Sequence, residues 1–283
     1  MVGEKISSEL VGLTSDPVEF SWGEQDVQLY GLAVGCKPET ELDFIYEARG
    51  PKVLPTYSVV SGLNILGGVM SKITFNLAML LHGEQKITLH REIPAKGKAT
   101  GVGRVVEVWD KGKAAVIGVE CQVSDTKGPL YTTHATLFIR GAGGFGGERG
   151  PSSSATELLP PDRVPDHVIN DVTREEQAAL YRLTGDRNPI HIDPNFAKFG
   201  GFDKPFLHGL CTYGFAGRAA LQALCAGDPG KFISMTGRFS DQVYMGDEVI
   251  TKIWRVRDGL ATMQVETQQG NVVLNQCQVE FSV

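Results

Sequence analysis

Apolar and small residues dominate two segments of this chain, about Ser58–Met70 and Gly209–Cys225. The second reads Gly-Leu-Cys-Thr-Tyr-Gly-Phe-Ala-Gly-Arg-Ala-Ala-Leu-Gln-Ala-Leu-Cys and is apolar or small nearly all the way round, the pattern of a buried helix. Its interior glycines, Gly214 and Gly217, each cost about 0.5–1 kcal/mol relative to Ala, so close packing against the helix backbone is expected. Elsewhere the pattern is that of strands. Residues 92–98 lead to the run 105–112 and then 115–123; residues 242–247 lead to 253–259 and then 261–267. Each block predicts strand, turn, strand, Asp-containing tight turn, strand: an antiparallel meander. Gly97 and Gly246 lie 149 residues apart, and Gly112 and Gly259 lie 147 apart, so one small gap aligns the blocks. A fold duplicated within one chain is expected.

One buried helix per block, swaddled by a curled antiparallel sheet, is an α+β arrangement of the hot-dog type, here a double hot dog. The boundary between repeats falls in the Gly-rich stretch 141–150, followed by Pro151-Ser152-Ser153-Ser154 and Pro160-Pro161-Asp162-Arg163-Val164-Pro165. Such composition favours a linker crossing the surface. The expected units are therefore residues 1–140, a linker 141–166, and residues 167–283. A dinucleotide-binding role for these glycines is set aside, because Pro and Ser follow them rather than a helix.

Composition narrows the function. At 283 residues, with 42% hydrophobic and 21% charged positions, the chain reads as a globular protein of two units. A net charge of −6 offers no footprint for nucleic acid, although a phosphorylated small ligand needs only a local cluster of donors. Cys36, Cys121, Cys211, Cys225 and Cys277 are odd in number and widely spaced, which predicts free thiols in a reducing compartment. No run reaches the ~18–20 apolar residues of a membrane span. The polar start Met1-Val2-Gly3-Glu4-Lys5 and the final Phe281-Ser282-Val283 carry no targeting address. A cytoplasmic location is expected, or a peroxisomal one if a signal has been removed.

The candidate chemistry is concentrated in Gly185-Asp186-Arg187-Asn188-Pro189-Ile190-His191-Ile192-Asp193-Pro194 and in Phe206-Leu207-His208-Gly209-Leu210-Cys211. Pro189 and Pro194 each remove a backbone donor and push the preceding residue out of the helical region. Asp186 and His191 must then be presented by a stiffened loop, where catalytic groups often sit. His208-Gly209 opens the buried helix, whose free N–H groups suit a developing negative charge. An acid/base pair beside an oxyanion site is suited to carbonyl chemistry. His191-x-Asp193 has the look of a metal pair, but no third ligand follows at metal-like spacing, and no metal is expected. His208 is read as capping the helix or satisfying a backbone group.

The series Asp186-x-Asn188-Pro189-x-His191-x-Asp193-Pro194, followed by His208-Gly209-Leu210-Cys211-Thr212, resembles the hydratase 2 motif of (R)-specific enoyl-CoA hydratases and MaoC-like dehydratases. Val53-Leu54-Pro55-Thr56, Leu81-His82-Gly83-Glu84-Gln85, Asp110-Lys111-Gly112 and Gly143-Gly144-Phe145-Gly146-Gly147 resemble the two-repeat members, which include the hydratase part of peroxisomal multifunctional enzyme type 2. The resemblance implies a double hot dog in which the C-terminal repeat is catalytic and the N-terminal repeat makes room for a bulky acyl chain. It places ligand contacts at His82, Gly83, Lys111, Arg187, Pro189, Ile190, Gly209 and Phe239. It implies a CoA thioester as substrate, no further cofactor, and a homodimer.

Hydration of a trans-2-enoyl thioester then assigns one water to Asp186 and His191, whose ordinary pKa values of about 3.9 and 6.5 bracket a useful range near neutrality. Asn188 would orient the pair or the water, and the Gly209 N–H would donate to the thioester oxygen. Two rival classes remain open: a hot-dog acyl-CoA thioesterase, and a non-catalytic acyl-CoA-binding subunit. The acyl group is expected to be medium, long, branched or sterol-derived.

Overall fold

The β-branched runs pair into one antiparallel sheet of ten strands. The computed structural model describes residues 3–151 and 159–283. The first five strands are β1 (Val18–Trp22), β2 (Leu80–Leu89), β3 (Gly97–Asp110), β4 (Ala114–Asp125) and β5 (Gly128–Arg140). The second five are β6 (His167–Val172), β7 (Phe232–Phe239), β8 (Glu248–Arg257), β9 (Leu260–Glu266) and β10 (Val272–Phe281). Their order is β1-β3-β4-β5-β2-β7-β10-β9-β8-β6, so the second half repeats the first in mirror sequence about the β2–β7 seam. Five residue pairs, from Glu84 with Arg238 to Thr88 with Ser234, form that seam. This is the double hot dog.

Five helices bear on the site: α1 (Glu24–Ala33), α2 (Ser58–Met70), α3 (Gln177–Tyr181), α4 (Pro194–Phe199) and α5 (Gly209–Cys225). α2 and α5 have the bounds that the apolar pattern predicts. Fourteen of the seventeen residues of α5 are buried. What fills its glycines differs from expectation. A Cβ on Gly214 would stand 2.4 Å from Val34 Cγ1, and one on Gly217 would stand 2.4 Å from Thr56 Cγ2. The closest partners of the second helix backbone are thus loop residues of the first half, with the sheet behind.

Polar groups tie the same contact. A helix leaves its last carbonyls unpaired, and those of α1 are served from the second half. Ala33 C=O accepts from Gln177 Nε2 at 2.7 Å and from Cys211 Sγ at 3.3 Å, and Val34 C=O accepts from Arg218 Nε at 3.0 Å. The buried Arg218 also pairs with Glu41, 2.7 Å away, and with Asp171 on β6. Lys37 reaches the other oxygen of Asp171 at 2.9 Å.

The start of the Gly-rich stretch is pinned. The Asp110 carboxylate accepts N–H bonds from Gly112, Gly144 and Gly146, each at 2.8 Å. Those of Gly144 and Gly112, above all, hold its pKa below the ordinary carboxylate value. Up to residue 150 this stretch is a loop wrapped round one carboxylate, and residues 152–158 of the expected linker lie outside the described residues. All five cysteines are free and buried, and burial pushes the Cys121 thiol up to about 12. Among the described residues no helix is long and apolar enough to cross a membrane.

Candidate active site

Between α3 and α4 the chain breaks into two single turns of 3-10 helix, Arg182–Thr184 and Pro189–His191. Pro189 and Pro194 each open a helical turn, where a missing N–H costs nothing. Asn188 Oδ1 accepts from Ile190 N at 3.2 Å, and Asp193 Oδ1 from Asn195 N at 2.8 Å, so both side chains are N-caps. The Asn188 backbone N–H also donates to Asp186 Oδ1 at 3.1 Å, which holds the carboxylate against this turn.

His191 is buried, and its Nδ1 lies 2.9 Å from the carbonyl of Phe206. A carbonyl only accepts, so Nδ1 carries the proton and Nε2 keeps its lone pair. Burial lowers the His191 pKa, while the Phe206 carbonyl and the Asp186 charge oppose that shift. The imidazole is thus a neutral acceptor near neutral pH.

His208 occupies the cap position of α5, but its side chain makes no capping bond. Instead Nε2 lies 3.1 Å from the Asp186 carbonyl, and the ring stacks on that of His191 with centroids 3.9 Å apart at 31°. One polar side-chain atom from each of Asp186, His191 and His208 lies within 4.8 Å of the others. The third group that sequence spacing failed to supply is therefore present. The arrangement suits proton transfer.

At the start of α5 the first bonds run from the N–H of Cys211 and Thr212 to His208 C=O, at 3.0 and 3.2 Å. The Gly209 and Leu210 N–H groups lie ahead of that ladder, where a helix favours negative charge. A Cβ at position 209 would stand 3.1 Å from Phe239 Cδ1. Phe239 in turn meets the ring of His82 edge-on, with centroids 5.1 Å apart. His82 Nε2 donates to Glu84 C=O at 3.1 Å, and loss of solvent pushes its pKa down to about 4. Gly83 sits at the irregularity between β2 and β5, where a Cβ would approach Thr136 O at 3.2 Å.

Asp186, His191, Gly209, Phe239 and His82, with Gly83 beside it, thus form one contiguous set. Lys111 does not join them. It lies in the β3–β4 turn, separated from β2 by the intervening β5, and its Nζ donates to Pro151 O at 3.1 Å. Arg187 and Pro189 are exposed, and Ile190 packs towards Gly200. A cavity of about 190 Å³ adjoins the loop that leads to Asp186, with Trp22, Leu29, Tyr57 and Val60 facing Leu183 and Thr184. Sequence reasoning missed His208 as a partner of the pair, along with the Phe206 carbonyl. A backbone acceptor carries no residue-type signal, and spacing does not say which way a histidine turns.

Two family models cover the chain: the MFE-2 hydratase 2 N-terminal domain matches residues 20–141, and the MaoC like domain matches residues 156–276. A 3-hydroxyacyl-thioester dehydratase Y of Mycobacterium tuberculosis is 42% identical, over 98% of each chain. A probable enoyl-CoA hydratase 2 of Dictyostelium discoideum is 38% identical, over 92% of this chain and 90% of that one. Among solved structures, a MaoC-like dehydratase from Phytophthora capsici superposes with a TM-score of 0.87 at 30% identity, over 98% of both chains.

Proposed function

This chain belongs to the MaoC-like hydratase 2 family, and on that premise we propose that it hydrates a trans-2-enoyl-CoA to the (3R)-3-hydroxyacyl-CoA in fatty-acid or sterol side-chain β-oxidation. The observation that carries this reading is the meeting of the Asp186 carboxylate and the neutral His191 ring at the open N-terminus of α5. A water held between carboxylate and Nε2 gives its oxygen to C3 of the enoyl group, and a proton is delivered to C2. Negative charge gathers on the thioester oxygen on the way, and the Gly209 N–H is placed to stabilise it. Two titrating groups this close share their protons, so base and acid are roles of the pair.

The remaining assignments follow from the same reading. His82, Gly83 and Phe239 wall the thioester side, while Lys111, Arg187, Pro189 and Ile190 lie further along the ligand path. The cavity beside Val60 and Leu183 takes the start of the acyl chain, so residues 1–140 accommodate substrate, 167–283 perform the chemistry, and 141–166 connect them. The CoA thioester is the substrate, and water is the other reactant, with no cofactor or metal. We place the protein in the cytoplasm, as a homodimer that sedimentation would reveal.

The test is loss of the enoyl-thioester absorbance with crotonyl- and decenoyl-CoA, with chiral analysis of the product. D186N and H191N should each lower the rate about 10²–10⁴-fold with the fold intact. Wild-type rates in either variant, or thiol release from a saturated acyl-CoA, would overturn the assignment.

A further inference from the structure

The hydration site contains a second histidine that the mechanism above does not use. His208 is only 1% exposed. Its Nε2 faces the Asp186 carbonyl, which can only accept, so Nε2 carries the proton and Nδ1 is bare. That Nδ1 is buried without a partner. A leucine would fill similar space without leaving an unmatched acceptor, so packing alone does not account for an imidazole here.

We propose that His208 is a positioning residue for hydration: its Nε2–H holds the backbone of Asp186, and its ring face seats the imidazole of His191, so that both meet one water. The proposal rests on the hydratase reading. The titratable and charged groups facing the stacked rings are Asp186 on the preceding loop and Tyr181 and Arg182 at the end of α3. Burial first, and then His191, push the His208 pKa down to about 3, which keeps it the neutral donor at any working pH. With Phe206 C=O fixing the His191 tautomer from one side, the stack fixes the plane of that ring from the other.

The test compares H208Q with H208N. Glutamine carries an N–H at the reach of Nε2, whereas asparagine stops at the level of Nδ1 and leaves the carbonyl unserved. In H208Q, kcat should stay within about fivefold of wild type; in H208N it should fall about 10–100-fold with KM within about threefold. Equal losses in the two variants, or wild-type kcat in both, would sink the proposal. Should H208N not fold, the kcat–pH profile of H208Q decides. Without the ring covering it, His191 is better solvated and its pKa rises, so the acid limb should move to higher pH; an unmoved limb counts against us. Absence of hydration in the wild type would reject the hydratase reading itself, a separate result.

Discussion

The two central helices begin differently. α2 continues directly from the 3-10 turn Pro55–Tyr57, with Ser58 Oγ bonded to Pro55 C=O at 2.8 Å and residues 53–59 all buried. Its first turn is plugged by its own chain, and Thr56 from that turn fills the gap over Gly217. α5 instead starts from an extended His208 (φ −57°, ψ 132°), with the Gly209 and Leu210 amides ahead of the ladder. One fold thus carries two uses of a helix N-terminus. Closed, it packs the neighbouring half; open, it can meet an anion. The first half also lacks an Asp-x-Asn-Pro-x-His segment, so the two losses go together.

The largest expected effect comes from cutting the tie between the halves. R218M strips Glu41 of its buried cation and leaves Asp171 with Lys37 alone, and should destabilise by about 3–5 kcal/mol in urea titrations. Loss below 1 kcal/mol would mean that Arg218 does not link the halves energetically. Next is pH. His82, His191 and His208 all have depressed pKa values, so the unfolded chain binds more protons than the native one once pH falls below about 6.5. Their contribution is fully present above that value and is lost on acidification, at about 1.4 kcal/mol per pH unit for His82 and His208, whose pKa values fall to about 4 and about 3. Denaturation curves between pH 7 and 4.5 check this, and H208Q should flatten the slope. Flat stability across that range would contradict it.

Smaller effects separate the site from its margins. G209A pushes a Cβ towards Phe239 and should lower kcat/KM about tenfold. F239A added to G209A should recover part of the loss, because the two substitutions share one contact. Additive losses would deny the coupling. K111A, remote from the pair, should raise KM no more than about threefold and leave kcat unchanged, as expected of one exposed charge contact. A large drop in kcat would move Lys111 into the chemistry.

Much of this was legible in the chain because the strongest signals are local. An all-round apolar pattern sets the bounds of α2 and α5, and two prolines force Asp186 and His191 onto a turn. The Asp-Lys-Gly and Asp-Gly turns mark the meanders. What stayed hidden is long-range or belongs to the backbone. Nothing in Glu84–Thr88 announces pairing with the strand at 234–238, and the partners of Gly214 lie 180 residues upstream at Val34. Asp110 read as a turn residue, yet it gathers amides from 34 and 36 residues away. Asn188 and His208 were recognised by type, but the direction of each side chain depends on a carbonyl or an amide that any residue provides.

The seam between β2 and β7 has a further consequence. Were each half a separate chain, the same strands would pair between two molecules, and the pairing would weaken as the protein was diluted. Here a covalent tether supplies the partner at an effective concentration on the order of millimolar. Turnover per molecule should therefore hold constant down to nanomolar enzyme, and the first half is free to diverge from its twin without losing its partner strand.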